Sequence, residues 1–295
     1  MDGLTILLNQ YAVSAGVFYA GGLCGAHAFP EDAQRGHLHL LRGGCVLVDG
    51  FTASHIVLSE PTLLFLPRPG PHRLIVPPEI RAEMVCGTVE FGKSGWNPLT
   101  ACLPDLLTLP LNAMPGLSAL VDAMFDEAFQ QRLGRQAVLD RYCEIVMVRL
   151  LDYCVERGLA AGGALAGLAH PRLAPVLQAL HANPEQAWPL SSMAVLAGMS
   201  RSRFALLFRE VTGDTPADYL ATWRIATAQR LLQRGRSLKH VFGEVGFASA
   251  SAFHRAFVRK TGLSPGNWLK QSAAVAEMNG HECGTVGAPG RHDKP

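Results

Sequence analysis

An internal repeat constrains this chain more than any other feature of its 295 residues. Phe204, Phe208, Thr212, Gly213, Pro216, Tyr219 and Leu220 recur 49 residues later as Phe253, Phe257, Thr261, Gly262, Pro265, Trp268 and Leu269. Seven matches at one offset are hard to obtain by chance, so one structural unit is used twice. In the first copy Ser191 or Ser192 is placed to cap a short helix and Gly198 supplies a tight turn. Ser200 then caps a second helix with Phe204, Leu207, Phe208 and Val211 on one face, ended by Thr212-Gly213. In the second copy Ser237 caps a helix bearing Leu238, Val241, Phe242 and Val245, Gly246 turns the chain, and Ser249 caps 250–260. Between them Thr215-Pro216 opens a long helix carrying Leu220, Trp223, Thr227 and Leu231, since proline suits a first helical position. Two helix-turn-helix units, about 191–212 and 237–261, are expected.

A helix-turn-helix offers the outer face of its second helix to the DNA major groove, N-terminal residues nearest the base edges. Those faces are polar and basic: Arg201, Ser202, Arg203 and Arg209 in the first copy, Ser251, His254, Arg255, Arg259 and Lys260 in the second. Residues 1–169 hold 11 basic and 16 acidic side chains, a net −5; residues 170–295 hold 15 and 8, a net +7. That segregation implies that the C-terminal half meets a polyanion. One stiff helix joining the units can set both recognition helices in successive grooves ~34 Å apart, so that a monomer reads an asymmetric site. The plainer alternatives are chance surface variation and a helical bundle with solvated basic faces.

The N-terminal half has another texture. Arg42-Gly43-Gly44 and Asp49-Gly50 flank Cys45–Val48, and an Asp-Gly step signals a hairpin. Thr62–Leu66, His72–Val76 and Met84–Phe91 follow as strands, and many short strands at such spacing imply a small sandwich or barrel. Helices fit 116–132 and 136–158, the second carrying the apolar stripe Leu139, Cys143, Val146, Leu150 and Cys154. That stripe either pairs two copies of the chain or packs on the chain's own strands. The expected organisation is a strand-rich domain over 1–112, a helical hairpin over 113–158, a linker over 159–169, a DNA-binding domain over 170–270 and a disordered tail over 271–295. With 48% hydrophobic and 17% charged residues the chain is no disordered or collagenous protein. No run approaches the ~18 apolar residues of a membrane span and Met1-Asp2-Gly3 lacks a basic flank, so a cytoplasmic protein is expected. Seven cysteines without CxxC spacing argue against a structural disulfide framework.

Residues 170–270 resemble the two-motif DNA-binding domain of the AraC/XylS transcription regulators. The shared residues are Ala197-Gly198-Met199-Ser200, Phe204, Phe208, Thr212-Gly213 and Pro216, then Val245-Gly246-Phe247, Ser251, Phe253, Phe257, Thr261-Gly262 and Pro265. The resemblance implies base-reading positions at Ser202, Ala205 and Leu206 in the first copy and at Ala250, Ser251 and Arg255 in the second. Ala205 and Leu206 depart from the usual polar pattern, because they can only touch a thymine methyl or exclude other bases. Discrimination then lies mostly in Arg255, helped by Arg201 and Arg203. The N-terminal half resembles the cupin-type sensor of one branch, through Leu38-His39-Leu40, Arg42-Gly43-Gly44, Leu64–Pro67 and Pro71–Leu74. Within it the chain is similar to RclR-like regulators that respond to reactive chlorine or related oxidants, because Cys24 and Val85-Cys86-Gly87-Thr88 occupy matching places. An α+β chain is thus implied: a cupin-like β-barrel, a helical dimerisation hairpin and an all-α double helix-turn-helix domain.

Two features of the sensor can carry a signal. His37 and His39 share a strand face and His72 can join them, making a three-imidazole set of the kind that binds Zn²⁺ or another divalent metal. Cupin enzymes usually add a carboxylate, for which Glu60 or Asp49 is only loosely placed; the plain reading is hydrogen-bonded core histidines. Cys24 sits in a glycine-rich stretch with His27 nearby to favour the thiolate, and Cys86 at a strand centre. Cys45, Cys143 and Cys154 read as small core residues. The resemblance pairs Cys24 with Cys86 as redox sensors. The implied partners are promoter DNA, RNA polymerase, a second copy of the chain and a small-molecule or oxidant inducer, with no catalytic residues and no membrane. Two alternatives are a cupin-type metalloenzyme fused to a DNA-binding module and an architectural DNA binder.

Overall fold

Short apolar runs broken by glycine and proline form strands, and in the computed structural model they pair into two antiparallel sheets. The structure describes residues 2–11, 13–29, 35–50, 55–91, 98–130 and 132–272. After helix α1 (Gly3–Tyr11), a five-stranded sheet is ordered β1 (Val13–Leu23), β8 (Ala82–Phe91), β3 (Gly36–Gly43), β6 (Thr62–Leu66), β9 (Leu107–Pro110). A four-stranded sheet is ordered β2 (Gly25–Phe29), β7 (His72–Val76), β4 (Val46–Asp49), β5 (Ile56–Leu58). The chain passes from one sheet to the other at Cys24-Gly25, where Gly25 has φ +75°. Leu41, Leu64, Met84 and Cys86 of the first sheet pack against Val46, Val48, Leu58, Leu74 and Val76 of the second. The expected barrel is therefore a two-sheet sandwich: among the described residues no edge strand of one sheet pairs with the other.

The helices that follow correct two expectations. After α2 (Pro98–Cys102), helix α3 (Leu117–Phe129) and helix α4 (Arg135–Glu156) form the expected hairpin. The stripe Leu139, Cys143, Val146, Leu150 and Cys154 is buried, with α4 lying on β1, so it is not the surface that pairs two copies. Leu139, Val146 and Leu150 each gain roughly 1.5–3 kcal/mol by leaving water, and the chain's own β1, α3 and α5 supply the cover. Periodicity shows that a face is covered; it does not show by what. The outward face of α4 still exposes Val138, Ile145 and Val148.

The expected linker contains helix α5 (Gly163–Ala169), with Ala164, Leu165 and Gly167 buried. Its small residues allow close packing on α2, on α6 (Ala174–Ala182) and on α8 (Arg201–Thr212). Two compact units divide the chain: one holds 1–182 with 188–217, the other 183–187 with the chain from Asp218 onward. The first unit contains the sandwich, α7 (Leu190–Leu196) and α8. The second contains α10 (Leu238–Glu244) and α11 (Ala250–Thr261), and α9 (Pro216–Gln233) begins at the boundary. Most of the expected tail, 273–295, lies outside the described residues. No described helix is long and apolar enough to cross a membrane.

Candidate nucleic-acid interface

The two repeats build two outward helix faces. In α8 the Ser200 side chain accepts a hydrogen bond from the Arg203 N–H, and Phe204 and Phe208 pack with ring centroids 5.5 Å apart. The Thr212 hydroxyl donates to the Phe208 carbonyl at 2.7 Å, and Gly213, at φ +81°, closes the helix in a conformation that favours glycine. The first helix departs from expectation: Pro189 stands at its N-cap, while Ser191 and Ser192 lie within α7 and face solvent. In α11 the Ser249 side chain accepts from the Ala252 N–H, and Phe253, Ala256 and Phe257 are buried.

With those faces buried, the opposite ones project outward. Arg201, Ser202, Arg203, Leu206 and Arg209 are exposed on α8, with Ala205 half-buried. Among the described residues no ion pair engages Arg201, Arg203 or Arg209, which leaves their charges for an external anion. Ala250, Ser251, His254, Arg255 and Arg259 are exposed on α11. Arg259 has a partner, Asp218, at 3.7 Å.

Sequence reasoning missed Arg224. Its Nε donates to the Pro184 carbonyl at 2.7 Å and its Nη2 to the Gln186 carbonyl at 2.8 Å, and the guanidinium lies 5.8 Å from the centre of the Phe247 ring. It ties segment 183–187 to the turn before α11, where Gly246 has φ +83° and a Cβ would meet the Glu185 carbonyl at 2.6 Å. The only sequence signal was an arginine beside the core Trp223.

In the sandwich the structure brings the three histidines together. His39 and His72 place their Nε2 atoms 2.8 Å apart, and the ring centroids of His37 lie 5.9 Å from His39 and 5.0 Å from His72. His72 donates from Nδ1 to the Gly70 carbonyl at 3.1 Å, so its Nε2 is the acceptor and His39 Nε2–H the donor. Phe29 stacks on His72 at 4.9 Å. Burial pushes the pKa of His39 well below the ordinary histidine value, helped by the neighbouring imidazoles, and lowers that of His72. Neutral imidazoles suit a metal, but here one proton is shared between the two nitrogens that would face it. Asp49 lies instead toward His55 and Arg73, and among the described residues no three His, Cys, Asp or Glu side chains are set to hold an ion. Among the described residues the three imidazoles form a buried cluster joined by one imidazole–imidazole hydrogen bond.

The thiols are kept apart. Cys24 is exposed at the β1–β2 corner, and His27 directs its Nε2 to the Cys24 carbonyl at 2.8 Å. Cys86 is buried opposite Tyr19 and His39, and burial pushes its thiol pKa up, away from thiolate. Leu23, which precedes Cys24, pairs with Ala82, four residues from Cys86, or roughly 13 Å along a strand. A disulfide requires Cα atoms ~4.4–6.8 Å apart. A second missed feature lies on the same strand. β1 bulges between Val17 and Tyr19, where Asp140 accepts from the Val17 N–H at 2.9 Å and Gln136 donates to its carbonyl at 2.6 Å.

Comparison with known proteins covers both halves. A family described as Cupin matches residues 2–156, and one described as Helix-turn-helix domain matches 193–271. The RCS-specific HTH-type transcriptional activator RclR of Escherichia coli (strain K12) is 31% identical over 245 residues, covering 81% of this chain and 85% of that protein. A putative AraC-like transcription regulator of Streptomyces lividans is 29% identical over 297 residues, covering 91% and 97%. Among solved structures, the DNA-binding domain of AdpA in complex with a target DNA is 35% identical, with a TM-score of 0.34, covering 36% of this chain and 96% of that chain.

Proposed function

The chain belongs to the AraC-type transcription regulators that carry an N-terminal cupin domain, and from that premise we propose that the cupin domain responds to an oxidant and biases DNA binding. Double-stranded DNA is the partner of the helix-turn-helix domain. The observation that carries the redox reading is the exposure of Cys24 beside buried thiols at 86, 102, 143 and 154. Its similarity to the RCS-specific transcriptional activator of Escherichia coli supports it. With hypochlorous acid as oxidant, the Cys24 sulfur takes up Cl⁺ and releases hydroxide. Water then displaces chloride to leave a sulfenic acid, so sulfur loses two electrons and chlorine gains them. Condensation of that acid with the Cys86 thiol releases water and requires the β1–β2 corner to move, and that movement is the switch.

The test couples two readouts on the full chain: mass spectrometry of alkylated cysteines and operator binding, before and after oxidant. Cys24→Ser is expected to lose the response while keeping basal operator binding. A full response from protein whose Cys24 remains a free thiol would overturn the redox reading.

We also infer a homodimer acting at promoters bound by RNA polymerase. The supporting surface is the outward face of α4, where Val138, Arg141, Ile145, Val148 and Asp152 recur at three- and four-residue steps. Antiparallel pairing about a two-fold axis sets Ile145 against Val148 of the partner subunit and Arg141 against the partner's Asp152.

A further inference from the structure

Resting on the reading of α8 as a DNA-recognition helix, we propose that Leu206 makes the first helix-turn-helix a reader of the pyrimidine C5-methyl group. It selects thymine or 5-methylcytosine over their unmethylated counterparts at one base pair. A single exposed leucine is ordinary on a protein surface. This one holds an unusual position. It is 61% exposed, one turn beyond Ser202 and about one turn before Arg209, on the face opposite Phe204 and Phe208. Arg201, Arg203 and Arg209 surround it with cations that no described carboxylate engages, so phosphates held by them bring the groove floor to Leu206.

Leucine has neither donor nor acceptor. Guanine, cytosine and adenine carry donors and acceptors but no methyl group on the major-groove edge, whereas thymine adds a methyl group. Pressed onto a polar edge, Leu206 displaces water from groups that then lack a partner; pressed onto a methyl, it buries apolar surface on both sides. Half-buried Ala205 beside it contributes no competing polar atom. The repeat sharpens the point, because the position 49 residues on from Leu206 is Arg255. One scaffold position thus carries an apolar reader in one copy and a hydrogen-bonding reader in the other.

The experiment measures binding of the full chain to a footprinted operator whose first half-site is varied base by base. Replacing one thymine by deoxyuridine should weaken the wild-type chain on the order of three- to tenfold, and the same step should leave Leu206→Ala indifferent. At that position 5-methylcytosine should bind better than cytosine. Leu206→Ala changes an exposed residue, and its melting temperature should match the wild type. If every thymine can be replaced without loss, or if Leu206→Ala keeps the preference, methyl reading is wrong although DNA binding stands. If the wild type binds operator no better than random duplex, the underlying sequence-specific reading fails with it.

Discussion

The two helix-turn-helix copies share the phenylalanines, threonine and glycine that pack and close each second helix, and differ at most of the outward positions, Ser202 and Ser251 being alike. Thr212 and Thr261 both donate their hydroxyls to the carbonyl four residues back, at 2.7 and 2.8 Å. Both phenylalanine pairs sit 5.5 Å apart, and Gly213 and Gly262 close their helices at φ +81° and +75°. On the outer faces Ala205 corresponds to His254, Leu206 to Arg255 and Arg209 to Val258. Packing density leaves the inner positions little freedom, because a missing methylene there costs stability directly. The outer positions carry no such packing constraint. On the proposed reading of these faces, the duplicated scaffold reads two unlike half-sites.

The shared core breaks first. Phe208→Ala and Phe257→Ala each empty a fully buried ring site and are expected to cost ~3–5 kcal/mol in urea denaturation. A much smaller loss in either copy would mean that the two cores are not equivalent.

The two compact units should also part on acidification. His39 and His181 are buried in the first, burial lowering His181 to about 3; the described histidines of the second, His240 and His254, are exposed. A histidine with a depressed folded pKa takes its proton in the unfolded chain first. Its contribution is therefore present above the unfolded value of about 6.5 and is lost as pH falls below it. The first unit should lose up to ~1.4 kcal/mol per pH unit for each such histidine between about pH 6 and 4, and the second should not. Hydrogen exchange followed by mass spectrometry resolves the units, and equal losses in both would contradict this.

Smaller effects belong to the outer faces. Arg255→Ala should cost ~1–3 kcal/mol at the second half-site and relax base preference there, if binding is compared on specific and substituted operators. Arg259→Ala, whose cation Asp218 already partly satisfies, should weaken specific and random DNA alike and lower the salt slope by about one. On the outward face of α4, Ile145→Glu should yield a folded monomer by light scattering, whereas Val146→Glu should unfold the sandwich, since Val146 is fully buried.

The DNA-binding half was legible in the sequence because its signals are local and doubled: serine caps, glycine turns and a phenylalanine pair at a fixed offset. The histidine cluster was legible for a similar reason, since residues two apart on a strand share a face. The distance between the thiols was not. Resemblance pairs Cys24 with Cys86, but register is a long-range property, and it puts one at a corner and the other inside the sandwich. The cover of the α4 stripe was not legible either, for amphipathicity marks a buried face without naming what lies on it. The 159–169 stretch misled because glycine and alanine without charge look like a linker, yet small residues are also what a tightly packed helix requires.

On the proposed reading, one scaffold used twice reads two unlike sequences. Selection of bound duplexes from a randomised library by the full chain, at one fixed salt concentration, tests this most directly. The expected product is an enriched site with two different halves, one fixing a thymine that Leu206→Arg converts to guanine, the other fixing a guanine that Arg255→Ala releases. Two identical halves, or no enriched sequence at all, would contradict it.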